Sequence, residues 1–408
     1  MTQTPDRQST PEGGTLTPRM NRRGVLRLAG IGAATAGLVS VAACSSGDDT
    51  GTASPSGLPS SNGAPSGGPT SAPAALPRPD TSLPAGDTSR GADNFFISDR
   101  LDARAVTFPN QFGQRISANL FVPADMNRSG RNPAIVVSHP MGAVKEQSAN
   151  LYAQKLAEQG FVTLSVDHPY WGSSEGEPRN LVAPDNYAES FSAGVDYLRT
   201  LDYVNGGRIG ALGICGSGSW VLSAAKIDPR IKAVGTVSMY DMGAAARFGL
   251  RRGVTLEQRR EMLDQVAARR DAEFAGGQTE YTGGTVHEIT PESTLVEREF
   301  YDFYRTSRGA FTPEGATPQT TTHPTLTSNA RFLNYFPLNE IETISPRPVM
   351  FVAGDQAHSL EFAEDAYRRA AEPKELVLVP GAGHVDLYDR VDVIPFDRLT
   401  EFYRTNLR

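Results

Sequence analysis

The sequence predicts an α/β protein: a mostly parallel sheet, helices on both faces, and one inserted segment over its rim. Three observations lead there. Short apolar runs alternate with stretches of helical periodicity through most of residues 94–408, the pattern of parallel strands joined by crossover helices. One run, 209–214, passes into a helix-like stretch through a turn of small residues around Cys215. Asp355, His384 and the segment His139-Pro140-Met141-Gly142 all follow predicted strand ends, the edge at which open α/β sheets bind ligands.

The chain opens on an export-like segment. Arg22 and Arg23 precede a run from Leu28 to Ala43 that is apolar or small and carries no charge. A positive head, an apolar middle and a small-residue exit make a secretory signal. The arginine pair resembles a twin-arginine signal, and Val41-Ala42-Ala43-Cys44 resembles a lipobox, whose cysteine is lipidated. Arg27 cuts the run short of the roughly 20 apolar residues that a membrane-crossing helix needs. Residues 1–44 are therefore expected to be a twin-arginine-type lipoprotein signal ending at lipidated Cys44, which holds the protein on the extracytoplasmic face of the cell membrane. Residues 45–93 are mainly Ser, Gly, Pro, Thr and Ala. Such a composition buries too little apolar surface to offset the entropy of ordering, so a disordered tether is expected.

In the body, 94–408, strands are expected at 104–108 and 115–122, joined by a turn at 110–113, and at 134–138. A helix over 145–159 has Ala149, Tyr152, Ala153, Leu156 and Ala157 on one face, and Gly160 ends it. A strand at 161–166 leads into Asp167-His168-Pro169-Tyr170-Trp171-Gly172. The next helix, 185–201, aligns Tyr187, Phe191, Val195 and Leu198. The strand at 209–214 and its helix follow, then a strand at 231–238. From about 243 to 342 the alternation breaks into helix-like pieces among Gly- and Thr-rich loops, an insertion placed to cap the rim. Strands resume at 348–353 and 376–380 with a helix at 360–371 between them, and a last helix covers 395–406.

At the tip of a sharp strand-to-helix turn neighbouring Cβ atoms would collide, so small residues must flank it; the tip side chain then stands above the sheet over a helix N-terminus. Gly213 and Ser217 lie two residues either side of Cys215. The stretch resembles the nucleophile elbow of the α/β-hydrolase superfamily, in the cysteine form of the dienelactone hydrolases. It is most similar to a bacterial dienelactone-hydrolase-like, Xaa-Pro-peptidase-like group with a Gly213-Ile214-Cys215 signature. The usual pattern has glycine where Ser217 stands, which leaves Ser217 as a rival nucleophile. The alternative role for Cys215 is that of a buried structural thiol.

A thiol attacks as the thiolate, so a histidine must reach it and a carboxylate should hold that histidine. His384 lies between Gly383 and Val385 after the last predicted strand, and the resemblance puts the catalytic histidine there. Asp355 follows the strand before it, and the order Cys215, Asp355, His384 matches nucleophile, acid and histidine in this fold. Asp241, also past a strand end, is the alternative acid. The oxygen that becomes negative on attack needs fixed N–H donors. Gly216, directly after the tip, is one; by resemblance Met141 is the other, with Gly142 beside it.

His139, His168 and His358 lack metal-ligand spacing, so no metal is expected. No phosphate loop or dinucleotide fingerprint appears, so no cofactor is expected either. A net charge of −7, with no basic run in the body, points away from nucleic acid. The expected protein is a membrane-tethered extracytoplasmic hydrolase. It would cleave an ester, thioester or lactone of a small-molecule acyl substrate through a Cys-His-Asp triad and an acyl-enzyme. The alternatives are an acyltransferase, a non-catalytic ligand- or partner-binding lipoprotein on the same fold, and an oxidation sensor at Cys215. The sequence leaves substrate and oligomeric state open.

Overall fold

The computed structural model describes residues 71–408. The expected signal, Cys44 and the tether up to residue 70 lie outside the described residues. From residue 71 onward the expectation of a disordered tether is corrected. Ser71–Pro73 forms an edge strand, β1, paired antiparallel with β2 (Leu101–Pro109) so that Ser71 faces Val106. Edge pairing needs only backbone N–H and C=O groups, which a Ser/Ala/Pro segment still has. Further on, Asp87 and Ser89 bind the guanidinium of Arg390, and the Asp93 N–H donates to the Asp389 carbonyl. Polar anchors therefore order a stretch whose apolar content alone would not.

β2 turns into β3 (Arg115–Pro123) through Asn110, whose side-chain oxygen accepts from the Phe112 and Gln114 N–H groups. β4 (Asn132–Ser138) is followed by α1 (Ala149–Ala157) and β5 (Val162–Val166). α1 starts four residues later than its periodicity suggests. The Lys145 N–H is held by Asp167 and the Ser148 N–H by Asn94, and Ser148 has φ 69°, so this stretch cannot wind into the helix. α2 (Pro184–Arg199) and β6 (Val204–Ile214) lead to Cys215, α3 (Gly216–Ile227) and β7 (Ile231–Val237). The chain then leaves the sheet for α4 (Met242–Phe248), α5 (Leu256–Phe274), α6 (Leu295–Tyr304) and α7 (Ser328–Leu333). It returns in β8 (Val349–Gly354), α8 (Leu360–Arg369), β9 (Lys374–Val379), the single turn α9 (Asp386–Asp389) and α10 (Phe396–Asn406).

The nine strands form one sheet in the order β1-β2-β3-β5-β4-β6-β7-β8-β9. β1, β2 and β3 pair antiparallel, and β3 joins β5 antiparallel; every pair from β5 through β9 is parallel. Apolar side chains fill both faces. Val136, Phe191, Leu198 and Trp220 pack on one side, and Ile135, Leu151, Leu212 and Tyr403 on the other. Each such side chain taken fully out of water stabilises the fold by roughly 1.5–3 kcal/mol. The parallel register places Ser138 beside Gly213, Ile214 beside Val237 and Gly354 beside Val379, so these strand ends share one rim.

Candidate active site

The site is built at the end of β6. A Cβ on Gly213 would lie 2.1 Å from the Ser217 carbonyl oxygen, so only glycine allows the chain to fold back there. Cys215 itself holds φ 53° and ψ −117°, a left-handed conformation that is costly for a side chain with a Cβ. Gly216 is required by a close approach: its Cβ would stand 2.8 Å from the Cβ of Met141. The loop after β4 is thereby pressed against the first turn of α3. In consequence the backbone of Met141 and that of Gly216 both lie beside the Cys215 sulfur, where they favour its anion. They are the two residues from which the oxyanion donors are expected.

Cys215 is buried among the described residues but opens onto a cavity of about 500 Å³. Met141, Phe300, Tyr304 and Tyr388 line the cavity near the sulfur, and Met242 and Phe332 extend the lining into the inserted segment. Burial pushes the thiol up to about 11, against the neighbouring Tyr388 hydroxyl and the Met141 and Gly216 backbone, which favour the anion. The resting sulfur is therefore a thiol at neutral pH.

His384 is fully buried, and its ring is gripped by hydroxyls. Nδ1 lies 2.6 Å from Ser359 Oγ, and Nε2 lies 3.0 Å from the Tyr388 hydroxyl. The same Tyr388 hydroxyl acts on the Cys215 thiol, and the two residues line the same cavity. The rings of His358, Tyr240 and Phe300 stand 4.6, 5.1 and 5.7 Å from that of His384. Burial, and then the neighbouring His358, hold the His384 imidazole well below its ordinary range, so it rests neutral.

The expected carboxylate does not hold this ring. Asp355 Oδ1 accepts instead from the Gly381 N–H at 2.8 Å, fixing the start of the histidine loop. Asp241 is also elsewhere, capping α4 by accepting from the Ala244 N–H at 2.7 Å. The place beside Nδ1 belongs to Ser359, because the turn after β8 swings Asp355 outward and Ser359 inward. Ser359 and Tyr388 both went unread in the sequence. The available signals were a hydroxyl four residues past Asp355, and a tyrosine four residues past His384, one helical turn away.

Ser217 points away from the cavity. It is fully buried, donates to the His139 carbonyl oxygen and lies 2.8 Å from His168 Nε2. His168 also contacts Ser138 and Ser190, at 2.9 and 2.6 Å. Beside them, Asp167 receives the Lys145 ammonium at 2.8 Å, both groups being almost fully buried. Burial opposes the Asp167 charge, but Lys145 and then His139 outweigh it and hold the carboxyl below its usual range. Tyr170 and Trp171 do not line the Cys215 cavity; Trp171 donates to the Tyr187 hydroxyl at 2.6 Å. Among the described residues no group of three or more His, Cys, Asp or Glu is arranged to hold a metal ion.

Comparison with known proteins agrees with this architecture. Residues 113–385 match the family described as X-Pro dipeptidyl-peptidase (S15 family). The uncharacterized protein PA2218 of Pseudomonas aeruginosa is 45% identical over 314 residues, 77% of this chain and 83% of that protein. Its crystal structure superposes with a TM-score of 0.73 at 42% identity, covering 79% of this chain and 99% of that one. The acyltransferase drtE of Aspergillus calidoustus is 26% identical over 72% of this chain and 91% of its own. The α/β hydrolase GrgF from Penicillium sp. shares the fold, with a TM-score of 0.63 at 23% identity over 75% of this chain and 99% of that one. A strand-to-helix elbow on the rim of a mostly parallel sheet and a family match across two thirds of its length lead to one conclusion: the chain belongs to the X-Pro dipeptidyl-peptidase (S15) family and is a hydrolase of the α/β-hydrolase superfamily.

Proposed function

We propose that the enzyme cleaves an ester, thioester or lactone by attack of the Cys215 sulfur on the acyl carbonyl, forming an acyl-enzyme that water releases. The observation that carries this reading is the convergence of two N–H groups, from Met141 and Gly216, on a sulfur that floors a mainly apolar cavity. On attack the carbonyl oxygen takes over these donors, which then stabilise the charge it gains. Met141, Met242, Phe300 and Phe332 suit an apolar acyl group. His384 is the base, with Ser359 rather than Asp355 against its Nδ1. Transfer of the acyl group to an acceptor other than water is the second reading, favoured by the relative named as an acyltransferase.

Aryl ester and aryl thioester panels test it, with digestion and mass spectrometry of the quenched protein. The expected result is an acyl mass on the peptide holding Cys215. An acyl mass on Ser217 would move the nucleophile. Absence of any adduct or turnover across the panel would favour the ligand-binding alternative.

Export and anchoring complete the reading: the enzyme acts on the outer face of the membrane, held by lipid on Cys44. The twin-arginine-like segment and the lipobox-like Val41-Ala42-Ala43-Cys44 support it. A mature N-terminus of acylated Cys44 is the expected mass, and a protein retaining Met1 would overturn the anchor. Among the described residues no helix is long and apolar enough to cross a membrane.

A further inference from the structure

His384 does not touch the cavity. Among the residues that line it, Cys215 and Tyr388 are present and His384 is absent. The Nε2 edge of the imidazole meets the Tyr388 hydroxyl at 3.0 Å, and the same hydroxyl neighbours the Cys215 sulfur in the cavity lining that the two residues share. Tyr388 is itself fully buried, sits on α9 one turn after His384, and packs its ring on Phe303 at 5.2 Å. Its carbonyl is held by the Ser148 hydroxyl at 2.9 Å. The phenol is thus fixed at both ends of its residue, between the base and the atom that must lose a proton.

We propose that Tyr388 is a catalytic residue whose hydroxyl carries the proton from the Cys215 sulfur to Nε2 of His384, and back again to the leaving group. The inference rests on the reading of Cys215 as nucleophile. In acylation the S–H bond breaks and its proton passes to the Tyr388 oxygen, while the Tyr388 proton passes to Nε2. The new S–C bond forms with the sulfur electron pair, and the carbonyl π pair moves onto oxygen, facing the N–H groups of Met141 and Gly216. Collapse of that intermediate breaks the bond to the leaving group, which takes a proton returned from the imidazolium through the same phenol. In deacylation water gives up its proton along this route and the thiol is restored. No co-reactant beyond substrate and water is needed.

The relay requires the tautomer with hydrogen on Nδ1, donated to Ser359 Oγ, so that Nε2 offers a lone pair to Tyr388. It also suits a pair at rest as thiol and imidazole rather than as ions, which is the state that burial imposes on both groups. The titratable groups facing the relay are Tyr240 from the loop after β7, Tyr304 from α6, and His358 from the turn after β8, with Glu299 on α6 bonded to His358 at 3.0 Å. Tyr240 and Tyr304 are held neutral by burial.

Tyr388→Phe tests the relay, because it removes one oxygen and keeps the ring. Acyl-enzyme formation on the full chain is followed by rapid quench and mass spectrometry with an aryl thioester, from pH 6 to 10. The expected result is a slower acylation at neutral pH by about 10²–10³-fold, with the deficit shrinking as hydroxide takes the thiol proton directly. In the parent, the acylation rate in mixtures of light and heavy water should fall along a curve, since two protons move together. A Tyr388→Phe enzyme that acylates Cys215 at the parental rate and with the parental pH profile would overturn the relay while leaving Cys215 as nucleophile. Acylation of the parent at another residue would instead overturn the underlying reading. Should Tyr388→Phe fail to fold, the parent alone decides: a straight-line isotope dependence, one proton in flight, defeats the relay.

Discussion

Two side chains on one turn, Cys215 and Ser217, meet opposite surroundings. Each stands near an imidazole. Ser217 has the more direct partner, with His168 Nε2 at 2.8 Å, whereas Nε2 of His384 meets the Tyr388 hydroxyl. Yet Ser217 is sealed among His139, His168 and the Lys145–Asp167 pair, while Cys215 opens to a cavity and faces two N–H donors. Residues two apart on a helix point to nearly opposite sides. The serine at a position usually held by glycine therefore sends its hydroxyl into the body and ties β4, β5 and α3 together through His168. The contrast teaches that a nearby histidine does not make a nucleophile. Access for a carbonyl and donors for its oxygen are the grounds on which Cys215, and not Ser217, is proposed as the nucleophile.

Five substitutions would break or sharpen this contrast. The largest effect is expected from exchanging the two sites: Cys215→Ala should lower turnover of an aryl thioester by at least about 10⁴-fold. Ser217→Ala should leave it within about threefold and cost about 1–3 kcal/mol in denaturant unfolding. Equal losses of activity in the two variants would erase the distinction.

Next comes the sealed side. Lys145→Met strands the fully buried Asp167 carboxylate, which should cost about 3–5 kcal/mol of stability. Where the variant remains folded, kcat should stay close to the parent's, and a parental denaturation midpoint would show that the pair is not structural.

The smallest effect separates the hydroxyl that holds His384 from the carboxylate expected to do so. Ser359→Ala leaves Nδ1 buried without a partner and should lower kcat roughly tenfold. Asp355→Asn keeps an acceptor for the Gly381 N–H and should change kcat by less than about threefold. A larger loss in Asp355→Asn would return the carboxylate to the triad.

Much of this was legible from residues alone. The continuous apolar runs around Ile135, Leu164 and Leu212 and the helical periodicity around Phe191 gave the alternating fold, because strands buried on both faces are apolar throughout while the helices covering them are apolar on one side. Gly213 and Ser217 announced the elbow as small residues two either side of Cys215. The structure of residues 71–93 was not legible, because polar anchors such as Asp87 on Arg390 leave no periodic trace. The late start of α1 was hidden for the same reason, in the grip of Asp167 and Asn94 on its first N–H groups.

The sequence by itself determined the fold class and the turn that carries Cys215, while the pointers to Met141 and to the loop of His384 came from the family resemblance. The fold class and the turn follow from apolar patterning and local sterics, which act over a few residues at a time. Only the tertiary structure decided which groups touch: Ser359 in place of Asp355 at Nδ1 of His384, Tyr388 at its Nε2, and Ser217 turned inward to His168. Hydrogen bonds hold only within a few tenths of an ångström. Where a loop's side chains land at that scale is set by the packing of elements distant along the chain, which no local pattern of residues encodes.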